Sequence, residues 1–275
     1  MDNESLYRLT SIARPLEPKY PTNKAVLLLM PVAGIVGAAV SVLRGGDTLS
    51  VFSAGLTAVG AVFGAWALGR ELAPDHNVAA FIGMALALVV VLVVESPSLL
   101  LVFVELFLVR IVNRTMGLPA RVSDSVAVTV LVAWAVYSLE SPLLGLVAAA
   151  AFGLDAALPH PQRRQVSFAA VCLAVSAGWV WCDGVVATDP STLAAPIRWL
   201  AGIVSIGFFL AILRTPEPRS VGDATGELLT RRRVQAGMLI GWLVAIQSLP
   251  SGSQGVESAG LVWATLASIA VGRWR

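Results

Sequence analysis

Apolar residues in this chain gather into runs long enough to cross a bilayer, and short polar breaks separate the runs. A hydrocarbon core about 30 Å thick asks for about 17–25 apolar residues in a helix. Breaks at Pro, Gly and acidic residues divide the chain into ten runs, at 24–43, 49–68, 78–95, 97–112, 124–140, 142–157, 166–182, 190–213, 235–249 and 257–272. The third run with the fourth, and the fifth with the sixth, would each be too long for one span at ordinary tilt. Both pairs divide at a Ser-Pro step. Ser96-Pro97 and Ser141-Pro142 each read as a helix N-cap followed by proline at the first helical position, and Asp189-Pro190 repeats the device. The pattern predicts an all-α membrane protein, a polytopic bundle of about ten transmembrane helices. Residues 1–24 form an N-terminal tail and 25–275 a single transmembrane domain, with 214–234 its longest linker.

Composition agrees. The chain is 57% hydrophobic and 13% charged, against roughly 45–50% and 25% for a soluble domain. That excludes an ordinary soluble enzyme and a disordered chain. A net charge of +2 with no concentrated basic face excludes a nucleic-acid binder. Cys172 and Cys182 lie on one expected helix, about 15 Å apart along its axis, so they do not pair. Residues 1–24 carry no apolar core or cleavage site and do not read as a signal peptide. Leu6, Leu9 and Ile12 offer a weak amphipathic face to the membrane surface, with a flexible tail as the alternative.

The charges test the count of helices. With ten spans, 17 of the 19 Lys and Arg residues fall on the side of the N-terminus, and only Arg44 and Arg198 fall on the other. The positive-inside rule makes the rich side cytoplasmic, so both termini are expected inside the cell membrane. Each outer turn is short and carries an acid: Asp47, Glu95, Glu140, Asp183 with Asp189, and Glu257. The chain thus reads as five helical hairpins. Two of them look repeat-related: a shift of 45 residues lays Glu95-Ser96-Pro97 on Glu140-Ser141-Pro142, with nine identities across 79–113. An even number of helices per copy gives parallel repeats.

Outer loops this short hold no binding domain, so chemistry belongs within the membrane or on the cytoplasmic face. Glu105, midway along the fourth run, is the sharpest candidate for a proton or cation site, because an acid at that depth costs roughly 2.5–3.5 kcal/mol. Arg110 and Asp155 fall on equivalent positions of the repeat and are expected either to pair or to snorkel separately to water. Arg70, Asp75, His76, Asn113, Arg114, His160 and Arg163 crowd three cytoplasmic linkers, where they form a candidate pocket for a phosphate or lipid headgroup. Asn77 reads as the N-cap of the third helix. Arg231, Arg232 and Arg233 are placed to attract anionic lipid. Gly34 with Gly37, and Gly60 with Gly64, suit close helix contact. Trp179, Trp181, Trp199 and Trp263 read as interfacial anchors. Nucleotide-binding, zinc-protease, nucleophile-elbow and aspartate-rich motifs are all missing, so neither cofactor nor metal is expected. The reading favoured is a secondary carrier of a small solute with an intramembrane acid. The alternatives are an intramembrane enzyme acting on a lipid or polyprenyl phosphate, or a non-catalytic assembly subunit. In a background lacking Cys172 and Cys182, a cysteine introduced at Asp189 is expected to react with a membrane-impermeant thiol reagent only from outside the cell. Labelling only from the cytoplasm contradicts this topology.

Overall fold

The computed structural model describes residues 9–94, 96–184 and 189–272. Among these, helices account for nearly all regular structure, and no strand is present beyond an isolated bridge between Val221 and Leu228. Local signals set the helix bounds. In α1 (Pro21–Leu43), Pro21 occupies the first turn after an extended Tyr20, where its missing N–H costs nothing. In α2 (Thr48–Leu72), Asp47 caps the start by accepting from Ser50 N at 2.8 Å. Next come α3 (Asn77–Val93), α4 (Leu99–Asn113), α5 (Val122–Ser138) and α6 (Pro142–Ala157). The chain continues with α7 (Gln165–Asp183), α8 (Ala195–Leu213), α9 (Arg231–Ile246), the seven-residue α10 (Gly252–Ser258) and α11 (Gly260–Gly272).

Five helical stretches are long and apolar enough to cross a membrane: Pro21–Leu43, Thr48–Leu72, Gln165–Asp183, Ala195–Leu213 and Arg231–Ser258. Four more, α3, α5, α6 and α11, are apolar and shorter, at 13–17 residues. Their outer faces suit lipid. In α1 only Val26, Ala33 and Gly37 are buried, while Leu28, Val32 and Ile35 are exposed. Exposed Val130, Trp134, Ile203 and Ile206 continue that apolar surface. Such an extent of exposed apolar side chain is not that of a soluble monomer.

The corners differ from expectation in detail. Helix α3 stops at Val93 and α4 begins at Leu99, so the N-cap is Ser98 rather than Ser96; its hydroxyl accepts from Leu101 N at 3.2 Å. The Ser98 N–H donates to Ser258 O at 3.0 Å, which holds this stretch extended. Ser141 and Pro142 do occupy the N-cap and first helical positions of α6. The Ser141 hydroxyl, however, donates to Gln247 Oε1 at 2.5 Å instead of capping its own helix. Asp189 opens a short 3₁₀ turn, Pro190–Thr192, and α8 starts only at Ala195. Asn77 is the first residue of α3, with His76 at the cap position. Leu6 and Glu95 lie outside the described residues. The N-terminal segment is not an amphipathic surface helix over its described part: Leu9 is exposed, Ile12 is buried, and Thr10 to Arg14 bond to the bundle.

Bonds between helix ends sort them into two groups. At one end, Arg14 before α1 bonds to Glu71 in the last turn of α2 and to Asp223 in the linker before α9, and Arg110 in the last turn of α4 bonds to the same Glu71. At the other, Arg44 after α1 donates to Leu92 O of α3 at 2.5 Å, and the Ser98 and Ser141 bonds above fall here. The first group, which holds most of the arginines, is called the basic end below. Packing is not a simple row of hairpins. Helix α1 lies on α2 and α5 touches α6, but α3 packs on α11 and α2, α4 on α2 and α9, and α8 on α11 and α9. Small residues allow the closest approaches. A Cβ at Gly37 would lie 2.8 Å from Ala54 O, and one at Gly60 or Gly64 would lie 3.0 Å from Leu99 or Val102 of α4. Gly237 and Gly241 of α9 face α4 in the same way, a contact the sequence reading had not singled out. Of the four tryptophans read as anchors, Trp181 and Trp199 are exposed, whereas Trp179 and Trp263 are buried, the latter donating to Ser248 Oγ at 3.2 Å.

Candidate functional site

The helix of α2 runs four residues past the apolar run that defines it, and this extension carries Glu71 inward with Arg70 half-buried beside it. Glu71 is fully buried. Its Oε1 accepts from Arg110 Nε at 3.0 Å and from Arg14 Nη1 at 3.3 Å, and its Oε2 accepts from Thr115 Oγ1. Its backbone carbonyl accepts from Asn113 Nδ2 at 2.7 Å. Arg14 turns its remaining edge to Asp223 as a two-pronged pair at 2.7 and 2.9 Å. Arg110 also donates to Ile12 O at 2.8 Å. One carboxylate therefore joins the N-terminal segment, α2, α4 and the linker before α9.

Asp155, near the end of α6, is the centre of a second network and is also fully buried. Its Oδ1 accepts from Arg114 Nε at 2.9 Å and from Arg233 Nη1 at 2.8 Å, and Oδ2 accepts from Gln165 Nε2 at 3.3 Å. Arg114 terminates α4 in the left-handed conformation, φ 52°, which aims its side chain across the bundle end. Its Nη1 donates to His160 O at 3.0 Å. Arg233 adds bonds to Val112 O and Pro159 O, both at 2.7 Å. Gln165 accepts in turn from Ser125 Oγ at 3.0 Å. A third acid, Asp124 at the start of α5, accepts from Ser11 N, Ser11 Oγ and Thr10 Oγ1 at 2.7–2.9 Å.

These networks redistribute the residues expected to act. Arg110 and Asp155 do not pair: Arg110 belongs to Glu71, and Asp155 belongs to Arg114 and Arg233. Arg233 is 4% exposed and turned inward, so it is not placed to meet lipid; Arg232 is exposed and Arg231 half-buried. The seven linker residues expected to share one pocket do not converge. Asn113 and Arg114 are buried in the networks, and the side chains of His160 and Arg163 are exposed. Asp75 is a clip, accepting from Arg219 N and Ser220 N at 2.9 Å and from Ser220 Oγ at 2.6 Å. Partial burial pushes its carboxyl up, but the Ser220 and Arg219 donors outweigh this and hold it below the ordinary value. The clip is thus fully present above about pH 3.9 and is lost as pH falls through the lowered value. His76 sits at the cap of α3 beside Asp75. No group of three His, Cys, Asp or Glu among the described residues could hold a metal ion. The sequence reading missed Glu71, Arg14, Asp124 and Asp223. The available signal for Glu71 was an acid directly continuing an apolar run.

Glu105 is different in kind. It is fully buried in α4, and neither carboxyl oxygen has a hydrogen-bond partner among the described residues. It faces Gly241 of α9, where a Cβ would lie 2.7 Å from Oε1, and Leu72 of α2 flanks the same spot. Two turns along α4, the Oδ1 of Asn113, likewise without a partner, faces Gly237. The α4–α9 seam therefore combines a glycine groove with buried oxygen acceptors. A separate cavity of about 570 Å³ opens at the basic end, lined by Arg14, Arg70 and Arg110, by Glu71 and Asp223, and by Phe63 and Trp66. Of the seven linker candidates, Arg70 alone reaches it.

Compared with known protein families, curated proteins and solved structures, the chain matches none. Its chemistry must therefore be argued from the side chains. Removing one partner from a buried ion pair typically costs about 3–5 kcal/mol, because the other charge stays buried. Asp155→Ala is expected to lower the thermal unfolding temperature in detergent sharply, whereas Asp75→Asn, on an exposed clip, changes it little. Equal melting temperatures for Asp155→Ala and the parent protein contradict the role of this network.

Proposed function

We propose that the protein is a secondary carrier of a small solute and that Glu105 is its coupling group. In this reading the ten helices of 13 residues or more among the described residues all span the cell membrane as five hairpins, two of them repeats, with both termini in the cytoplasm. The split of 17 basic residues against two supports that orientation. Glu105 carries the functional reading. A carboxylate with no donor or cation beside it is costly to bury, and intramembrane acids of this kind mark ion and proton pathways. A proton, cation or solute amine arriving there relieves the cost. Gly237 and Gly241 present no side chain of their own to α4, so this stretch of the seam is the place where the bundle can open to admit one.

The enzyme reading is weaker. It required the linker acids and histidines to meet at one point, but Asp75, with His76 beside it, clips Arg219 and Ser220, whereas His160 bonds through its carbonyl to Arg114. Asp155 and Glu71 are fully engaged in ion pairs.

Paired metabolite and lipid profiling of a deletion strain, complemented with either the parent gene or Glu105→Gln, tests the proposal. A carrier predicts a solute pool that changes on deletion, returns with the parent protein and stays changed with Glu105→Gln, although that variant inserts and melts normally. Full complementation by Glu105→Gln, or a lipid that accumulates while solutes are unchanged, contradicts it.

A further inference from the structure

The cavity at the basic end has a use that does not depend on the carrier reading. Its lining holds six charged groups, and five of them are engaged with opposite charges. Arg14 holds Asp223 and Glu71, Arg110 holds Glu71, and Glu17 is paired with Lys19. Arg70 is the exception. It has no carboxylate partner among the described residues; one of its nitrogens, Nη1, donates to Asn77 Oδ1. A guanidinium carries five N–H donors, so Arg70, which feels the charges of Glu71 and Asp223 without bonding to either, presents spare donors to the cavity it lines. Trp66 lines the same space, is 7% exposed, and its indole N–H has no acceptor. A buried indole N–H normally finds one.

The walls change character with depth. Phe63 lies seven residues before Arg70 on α2, which places it about 10 Å further along the helix axis. Its ring sits 6.3 Å from those of Trp66 and Phe103. The start of α1, with Tyr20, Pro21 and Thr22, closes the other side. A cavity of about 570 Å³ is far larger than one phosphate ion needs and lies in the range of small-molecule sites. One end is polar, where Arg70 keeps spare guanidinium donors beside the paired charges, and the other is aromatic.

We propose that this cavity binds an anionic phospholipid, with Arg70 holding the phosphodiester and the Phe63–Trp66 wall receiving the first part of an acyl chain. Phosphate recognition by a guanidinium suits the planar donor fork of arginine better than the point charge of lysine. The site differs from the Arg231–Arg232 pair, which faces the surface without an apolar wall.

Isothermal titration of the full-length protein in a neutral detergent tests this, with dihexanoyl phosphatidylglycerol, dihexanoyl phosphatidylcholine and inorganic phosphate as the three probes. The expected result is saturable one-to-one binding of phosphatidylglycerol, at least ten-fold tighter than either other probe. Arg70→Gln weakens it at least ten-fold, Arg70→Lys less, and Arg231→Gln leaves it unchanged. Phe63→Ala shortens the apolar wall without touching Arg70 and is expected to weaken phosphatidylglycerol binding several-fold, which preserves the test should Arg70→Gln fail to fold. Inorganic phosphate binding as tightly as phosphatidylglycerol overturns the lipid assignment. Equal binding of the two lipids, or affinity unaltered by both Arg70→Gln and Phe63→Ala, overturns the site.

Discussion

Two carboxylates, Glu71 and Asp155, lie fully buried at one end of the bundle, and each is held by two guanidinium groups. Neither would be tolerated there as an isolated charge. Their partners come from segments far apart in the chain: Arg14 and Arg110 for Glu71, Arg114 and Arg233 for Asp155. The arginines also occupy backbone carbonyls at Ile12, Val112, Pro159 and His160, near helix ends where such groups lose their helical partners. In this way the charges fix where α2, α4 and α6 stop and where α9 starts relative to one another. The N-terminal segment is fixed as well, through Arg14 and through Thr10 and Ser11 on Asp124.

With that end tied, the rest of the bundle is held by apolar contact and by small residues at the crossings. The α2–α4 crossing is filled, because Leu99 and Val102 sit against Gly60 and Gly64. The α4–α9 crossing puts oxygen acceptors against glycines instead. A tightly clamped end beside a seam that buries an unpartnered acid is the physical basis of the carrier proposal. The cavity at Arg70, proposed as an anion site, shares Arg14, Glu71 and Arg110 with that clamp.

Helix positions were largely legible in the sequence, because apolar run length and proline caps act locally. The expected 78–95 and 142–157, for example, became Asn77–Val93 and Pro142–Ala157. Helix α2 was read four residues short, since Arg70 and Glu71 look like a loop until their buried partners are known. Ion pairing was not legible. The Arg14–Glu71, Arg110–Glu71 and Arg233–Asp155 contacts span 57, 39 and 78 residues. The repeat suggested Arg110 with Asp155, but the register of α2 supplied Glu71 first. Glu105 was legible as a buried acid, because nothing near it in the sequence signals a turn. That it faces Gly241 depends on the rotation of α9, which no local pattern fixes.

The central claim, that buried ion pairs lock the basic end, is tested most directly by a double-mutant cycle. The unfolding free energies of the parent protein, Glu71→Gln, Arg110→Gln and the double variant are measured by denaturation in mixed micelles. For close charge pairs, coupling energies of about 1.5 kcal/mol or more are expected, with the double variant less damaged than the sum of the singles. Effects that add to within about 0.5 kcal/mol would contradict the account.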